Sequence, residues 1–248
     1  MSAPLHIVEL DSCASTSTEL AAMPQAPSGT VVATRCQTAG RGQRGNSWES
    51  EPGANLTFSL LLRPESISAQ RQFEMSMLVS LAIVGVIDRL LPPYARAHIK
   101  WPNDIYVDDR KICGILIENS LSGSRIDRAI VGVGLNVNQT VFLSDAPNPV
   151  SLASVTGRRT LLGPLLRELA AAILDAVGSY VPDRDSAVLK SRYMSELWRC
   201  DGARYPFIDV ASGERFNASI EDVAADGTLT LLAAEPRKYL FKEVVFVL

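Results

Sequence analysis

The residues best suited to chemistry form a short run, Gln37-Thr38-Ala39-Gly40-Arg41-Gly42-Gln43-Arg44-Gly45-Asn46-Ser47-Trp48. Glycines at 40, 42 and 45 meet the spacing G-x-G-x-x-G, but that fingerprint holds a dinucleotide only when a helix follows and offers its N-terminus to the pyrophosphate. Residues 46–54 contain Pro52 and Gly53 and little apolar periodicity, so no helix is expected and the dinucleotide reading fails. Exposed amides flanked by Arg41 and Arg44 suit a different task, folding around an anion and neutralising it, which points to a phosphate-bearing ligand. A solvated hairpin tip is the plainer alternative.

Two further runs carry polar groups in unusual density. Lys100-Trp101-Pro102-Asn103-Asp104 gathers an aromatic ring, an amide, an acid and a rigid proline, and Lys111 then opens the apolar stretch Ile112–Glu118. A lysine there either snorkels to water or faces a pocket, where its compact charge suits a carboxylate or phosphoryl oxygen. In Gly132-Val133-Gly134-Leu135-Asn136 the glycines remove side chains from a strand, so either a ligand approaches the backbone closely or the strand bulges. No G-x-x-x-x-G-K-[ST] occurs, so any ATP must be held by another device. Cys13, Cys36, Cys113 and Cys200 form no C-x-x-C pair and read as buried free thiols.

These residues need a scaffold. Thr16 and Glu19 have capping-box spacing, so a helix should start just after Ser15 and Thr16. Thr30–Thr34 and Asn55–Leu62 read as strands that the Gly/Arg loop joins, and apolar residues between Gln70 and Leu91 recur at helical spacing up to Pro92-Pro93. Short strands around His98–Trp101, Ile105–Val107, Ile112–Glu118 and Ala129–Val137 suggest an antiparallel or mixed sheet. Helices follow at Leu161–Val177 and Ser186–Leu197. After residues 198–202 the texture turns to strands only, at Arg215–Val223, Thr228–Leu232 and Lys238–Val247, which suits a small closed barrel. The chain of 248 residues has a net charge of −3 and no apolar run long enough for a membrane span, nor a segment resembling a signal peptide. A soluble cytoplasmic protein without a nucleic-acid-binding face is expected.

Taken together, the runs Gln37–Trp48, Lys100–Glu118 with its KWPND core, and Gly132–Asn136 resemble the biotin–protein ligase family in order and spacing. Phe241-Lys242-Glu243-Val244 also resembles that family's small C-terminal barrel. The resemblance implies an α+β catalytic domain related to class II aminoacyl-tRNA synthetases over residues 1–199 and an SH3-like barrel over 200–248. It implies ATP-dependent activation of biotin to biotinyl-AMP with Mg2+ held mainly by the ATP phosphates. Transfer to a lysine of a biotin carboxyl carrier protein of acetyl-CoA or a related carboxylase follows. By the same motifs, Ser15, Thr16, Ser17, Gln37 and Gly40 would hold biotin, with Gly114 binding it through its backbone. Arg41, Gly42 and Gln43 would close over biotin and the adenylate. Lys111 and Arg41 would act in catalysis, and Arg44, Trp48, Asn103, Asp104 and Asn136 would serve the nucleotide and metal side. The chain departs from the family pattern at Ser17, where asparagine is common, and at Gln43, where arginine is frequent. With the first motif at Ser15, no N-terminal DNA-binding domain is expected, and the partners would be small molecules, the carrier and a second copy in a homodimer, with no DNA and no membrane. A lipoate–protein ligase and a non-catalytic biotin-binding module are the alternatives.

Overall fold

The computed structural model describes residues 4–40, 42, 48–143 and 148–248. A seven-stranded mixed sheet is its frame, with strands β1 (His6–Cys13), β2 (Thr30–Gln37), β3 (Leu56–Leu62), β4 (Ala97–Lys100), β5 (Asp104–Val107), β6 (Arg110–Ser122) and β7 (Arg125–Leu135) in the order β1-β2-β3-β7-β6-β5-β4. Only β1 and β2 run parallel. β6 and β7 form the long central hairpin, turned at Gly123, whose φ of 60° explains a glycine there.

The pleat divides the apolar residues between two faces. Val31, Leu60, Leu62 and Val131 join the main core, whereas their chain neighbours Val32, Leu61 and Ile130 join a smaller cluster with Leu20. Helix α1 (Thr16–Ala21) covers the second face. Helices α2 (Phe73–Asp88), α4 (Leu162–Gly178) and α5 (Pro182–Ser195) belong to the first, and a short α3 (Leu152–Thr156) precedes α4. The apolar spacing before Pro92 predicts a half-buried helix, yet 11 of the 16 residues of α2 are buried, because α4 and α5 cover the side turned from the sheet.

A second, five-stranded antiparallel sheet follows in the order β11-β10-β9-β8-β12, from β8 (Tyr205–Asp209), β9 (Arg215–Val223), β10 (Leu229–Leu232), β11 (Pro236–Tyr239) and β12 (Val244–Phe246). Its Phe207, Phe216 and Phe246 share one core cluster with the large sheet. Trp101 ties the seam: its indole N–H donates to the Gly227 carbonyl at 3.0 Å, and its ring lies 5.3 Å from that of Phe241. Arg199 adds a bond to the Val247 carbonyl at 2.7 Å.

Several expectations change. β1, β8 and α3 are elements that local patterning did not announce; β1 is an edge strand without a buried position, so its alternation is faint. α1 starts at Thr16, one residue earlier than expected, and the capping box does not form: the N-cap is Ser15, which makes no side-chain cap bond, and the Thr16 hydroxyl is engaged elsewhere. Of the four free cysteines only Cys113 is buried; the others are half-buried, Cys13 and Cys36 being near the open end of the β1–β2 edge.

Candidate active site

Side chains of β3, β7, β6, β5 and β4 that face α1 line a cavity of about 1070 Å³. Sheet register explains its composition. Thr57, Gly134, Gly114, Asp104 and Lys100 are successive partners across five strands, so three separate stretches of sequence fall into one row. Ser59, Gly132 and Leu116 form the next row on the same face.

At the second row the polar atoms satisfy one another. Ser59 Oγ lies 2.8 Å from the Thr16 hydroxyl and 2.9 Å from the Ser17 hydroxyl. Gln37 Oε1 accepts the Thr16 backbone N–H at 2.9 Å. Ser15 completes this end of the cavity. A Cβ on Gly132 would come within 3.1 Å of Ser17 Oγ, so the glycine is what lets the start of α1 sit against the sheet. Gly40 is equally constrained: a Cβ there would meet Gln37 Nε2 and the Trp48 carbonyl, each at 2.8 Å.

The glycine row carries the charge. Lys111 Nζ pairs with Asp104 Oδ1 at 2.7 Å and stands 5.7 Å from the centre of the Trp48 ring. That ring lies on the floor left by Gly114 and Gly134, where added Cβ atoms would approach it to 3.0 and 2.4 Å. Its buried indole N–H has no partner among the described residues. Lys100 Nζ lies 5.3 Å from the Tyr106 ring centre and 5.2 Å from that of Phe246. Burial pushes the Lys100 ammonium below its ordinary pKa, with Lys111 and Arg199 adding repulsion that Asp104 partly offsets. The Asn103 side-chain amide donates to the Ile115 carbonyl, holding the turn between β4 and β5 against β6.

Two residues beyond Gly134, Asn136 closes the far end. Its side-chain N–H donates to the Val150 carbonyl at 3.1 Å, while its Oδ1 is buried and unpaired among the described residues. Gly132 to Asn136 is about 13 Å at ~3.3 Å per residue, so hydroxyl, cationic and amide zones follow one another along β7. Glu49 borders this end, accepting from Leu143 N–H at 2.9 Å and Gln139 Nε2 at 3.2 Å.

Ser15, Thr16, Ser17, Gln37, Gly42, Trp48, Asn103, Asp104, Lys111, Gly114 and Asn136 all line this cavity, and Gly40 packs against two of them. Arg41, Gln43 and Arg44 lie outside the described residues. Sequence reasoning gave no role to Lys100, although it stands in the KWPND run, nor to Ser59 and Phe246. Lys100 could have been found as that run's cation; Ser59 and Phe246 arrive through pairing and packing that local sequence does not encode. No group of three His, Cys, Asp or Glu among the described residues could hold a metal ion by itself, and Asp104 and Glu49 are the carboxylates in the cavity wall.

The sequence pattern of the biotin/lipoate A/B protein ligase family matches residues 10–136. Over 176 residues, 66% of this chain and 72% of the other, the chain is 32% identical to the biotin–[acetyl-CoA-carboxylase] ligase of Paracoccus denitrificans. It is 40% identical over 114 residues to the bifunctional ligase/repressor BirA of Bacillus subtilis, a match that spans 46% of this chain and about a third (34%) of that protein. In fold it is similar to the biotin protein ligase from Aquifex aeolicus in complex with biotin and ATP, with a TM-score of 0.79, 22% identity and 98% of each chain covered. The zoned cavity thus stands in a fold and a sequence pattern of one kind, and the chain belongs to the biotin/lipoate A/B protein ligase family.

Proposed function

We propose that this protein is a biotin–protein ligase that activates biotin with ATP and passes it to a lysine of a carrier domain of acetyl-CoA or a related carboxylase. The observation that carries the reading is the row Gly134-Gly114-Asp104-Lys100 with Lys111 beside it, set between a neutral hydroxyl end and Asn136. A carboxylic acid with an uncharged hydrogen-bonding ring fits the hydroxyl end, its carboxylate directed toward Lys111. A nucleotide fits the other, with an amine of its base donating to the open Asn136 Oδ1 and its phosphates beside Lys100.

In the first half-reaction a biotin carboxylate oxygen attacks the α-phosphorus of ATP, the bond to the β-phosphate oxygen breaks, and pyrophosphate leaves with biotinyl-AMP formed. In the second, the carrier amine attacks the acyl carbon, loses a proton and expels AMP. Both reactants of the first step are anions, so a fixed cation where they meet lowers the barrier. Lys111 meets that need; its Asp104 partner holds the ammonium in one place, and the glycine floor lets the reacting groups lie close to the backbone. Mg2+ would arrive on the ATP phosphates and neutralise part of their charge, with Asp104 and Glu49 as the neighbouring carboxylates. We assign residues 1–199 to the catalytic unit and 200–248 to an SH3-like barrel. In this reading the protein works in the cytoplasm as a homodimer, without DNA or membrane.

ATP–pyrophosphate exchange with biotin, lipoate and octanoate in parallel tests the proposal. Exchange with biotin alone is expected. Exchange only with lipoate or octanoate would reassign the substrate, and none with any acid would make the cavity a binding site without catalysis.

A further inference from the structure

Lys100 is a half-buried cation lining the cavity, and it forms no salt bridge among the described residues; Asp104, which attracts it, is paired with Lys111. Its ammonium is held between two aromatic faces. One, Tyr106, comes from β5 of the large sheet; the other, Phe246, comes from the last strand of the chain, on the far side of the seam. Phe246 is itself fixed by rings on three sides, at 4.9 Å from Phe207, 6.1 Å from Trp198 and 6.4 Å from Trp101. The strand that bears it is anchored through the Arg199 bond to Val247 and faces the cavity with Val244, Val245 and Leu248 as well.

A lysine side chain carries large rotamer freedom, and an ammonium without a partner would swing toward water. Two ring faces oppose that: each attracts the cation through its quadrupole, and together they exclude the water that would otherwise screen it. Trp101, adjacent to Lys100, is bonded to Gly227 of the smaller sheet, so lysine and clamp are referenced to the same seam. From this geometry we infer that Phe246 is a positioning residue for the reaction: it acts through Lys100, holding the ammonium toward the nucleotide phosphates, so that the smaller sheet contributes to catalysis by placing one charge. The inference rests on the adenylate-forming reading above.

A double-mutant cycle on biotin-dependent pyrophosphate exchange tests it. Phe246→Leu keeps most of the apolar volume and removes the π face. It is expected to lower kcat/KM for ATP about 3- to 30-fold, the range a desolvated cation–π contact supplies, with KM for biotin unchanged. In the Lys100→Met background the same substitution should cost less than about twofold, because the group it positions is gone. Equal losses in the two backgrounds, or parallel losses for ATP and biotin, would reduce Phe246 to a packing residue and overturn the inference. If thermal melts show Phe246→Leu unfolded, Tyr106→Leu removes the opposite face and is read by the same cycle. Absence of exchange in the unmodified protein would defeat the ligase reading instead, so the two failures are distinct.

Discussion

The two ends of the cavity are built on one sheet face and handle their polar atoms in opposite ways. Around Ser59 the protein completes its own hydrogen bonds: Thr16, Ser17 and Gln37 are mutually engaged before any ligand arrives. Around the glycine row and Asn136 it leaves capacity open among the described residues, in a buried indole N–H, a buried amide oxygen and a lysine that forms no salt bridge. An unpaired buried polar atom costs about 1–3 kcal/mol, so these open groups lower stability unless a ligand completes them. On the proposed reading, the difference makes the hydroxyl end preorganised to accept a ring and leaves the other end to be completed by its ligand. Substitutions at the two ends should therefore separate biotin binding from nucleotide binding and chemistry.

The largest effect should come from the charge between the ends. Lys111→Ala is expected to lower the rate of biotinyl-AMP formation by about 10²–10³, the usual result of losing a preorganised electrostatic partner, while biotin affinity stays within a few fold. Single-turnover adenylation measured beside biotin titration checks this. Lys111→Arg should rescue poorly, because a planar fork does not reproduce a point charge held by Asp104. A loss below about tenfold would remove Lys111 from the chemistry and leave it a snorkelling residue.

Ser59→Ala probes the closed end. It takes away the shared partner of two hydroxyls, and at about 1–3 kcal/mol biotin should bind roughly 5- to 150-fold more weakly, with KM for ATP unchanged. Calorimetric titration of biotin reports the first and exchange kinetics the second; equal weakening of both ligands would abolish the distinction between the ends. Asn136→Ala is the reciprocal test and a smaller one. Its effect is expected mainly on KM for ATP, up to about tenfold for one hydrogen bond near 1 kcal/mol, with biotin affinity unaffected. An effect on biotin alone would place the base elsewhere.

How much of this could be read from the residues alone depends on how local each feature is. The clustering of Trp101, Asn103 and Asp104 and the spacing of Gly132, Gly134 and Asn136 are contiguous, so they could be singled out, although Lys100 in the same run was given no role. Legible too was α2, whose apolar spacing runs for five turns. The row that lines Lys100 up with Gly134 was not, because it depends on register among four strands and a bulge between Ile105 and Tyr106. Thr16 shows the opposite error: a local rule assigned its hydroxyl to a helix cap, and the long-range Ser59 contact prevails. Phe246 is the last residue of a three-residue strand with ordinary alternation, and only the seam between the sheets gives it a task.

The smallest effect serves as a control on the idea that open polar atoms mark the ligand end. Tyr193 in α5 is fully buried against Phe73, with ring centres 5.8 Å apart, and its hydroxyl has no partner among the described residues. It does not line the cavity. Burial pushes its ionisation well above the usual phenol range, and the group carries the cost of a dehydrated hydroxyl. A ligand in the cavity does not reach it, so this openness has no part in the site. Tyr193→Phe removes the hydroxyl and keeps the ring and its edge-on contact. Stability should therefore stay level or rise by up to about 1 kcal/mol, a gain of roughly 2–4 °C in Tm for a protein of this size, and exchange kinetics should not move. Asn136 and Trp48 behave differently under this view, because ATP should raise Tm in the unmodified protein and less so in Asn136→Ala. A melt of the three proteins with and without ATP decides it: a Tm lowered by Tyr193→Phe, or an ATP shift equal in all three, would break the link between unpaired atoms and ligand.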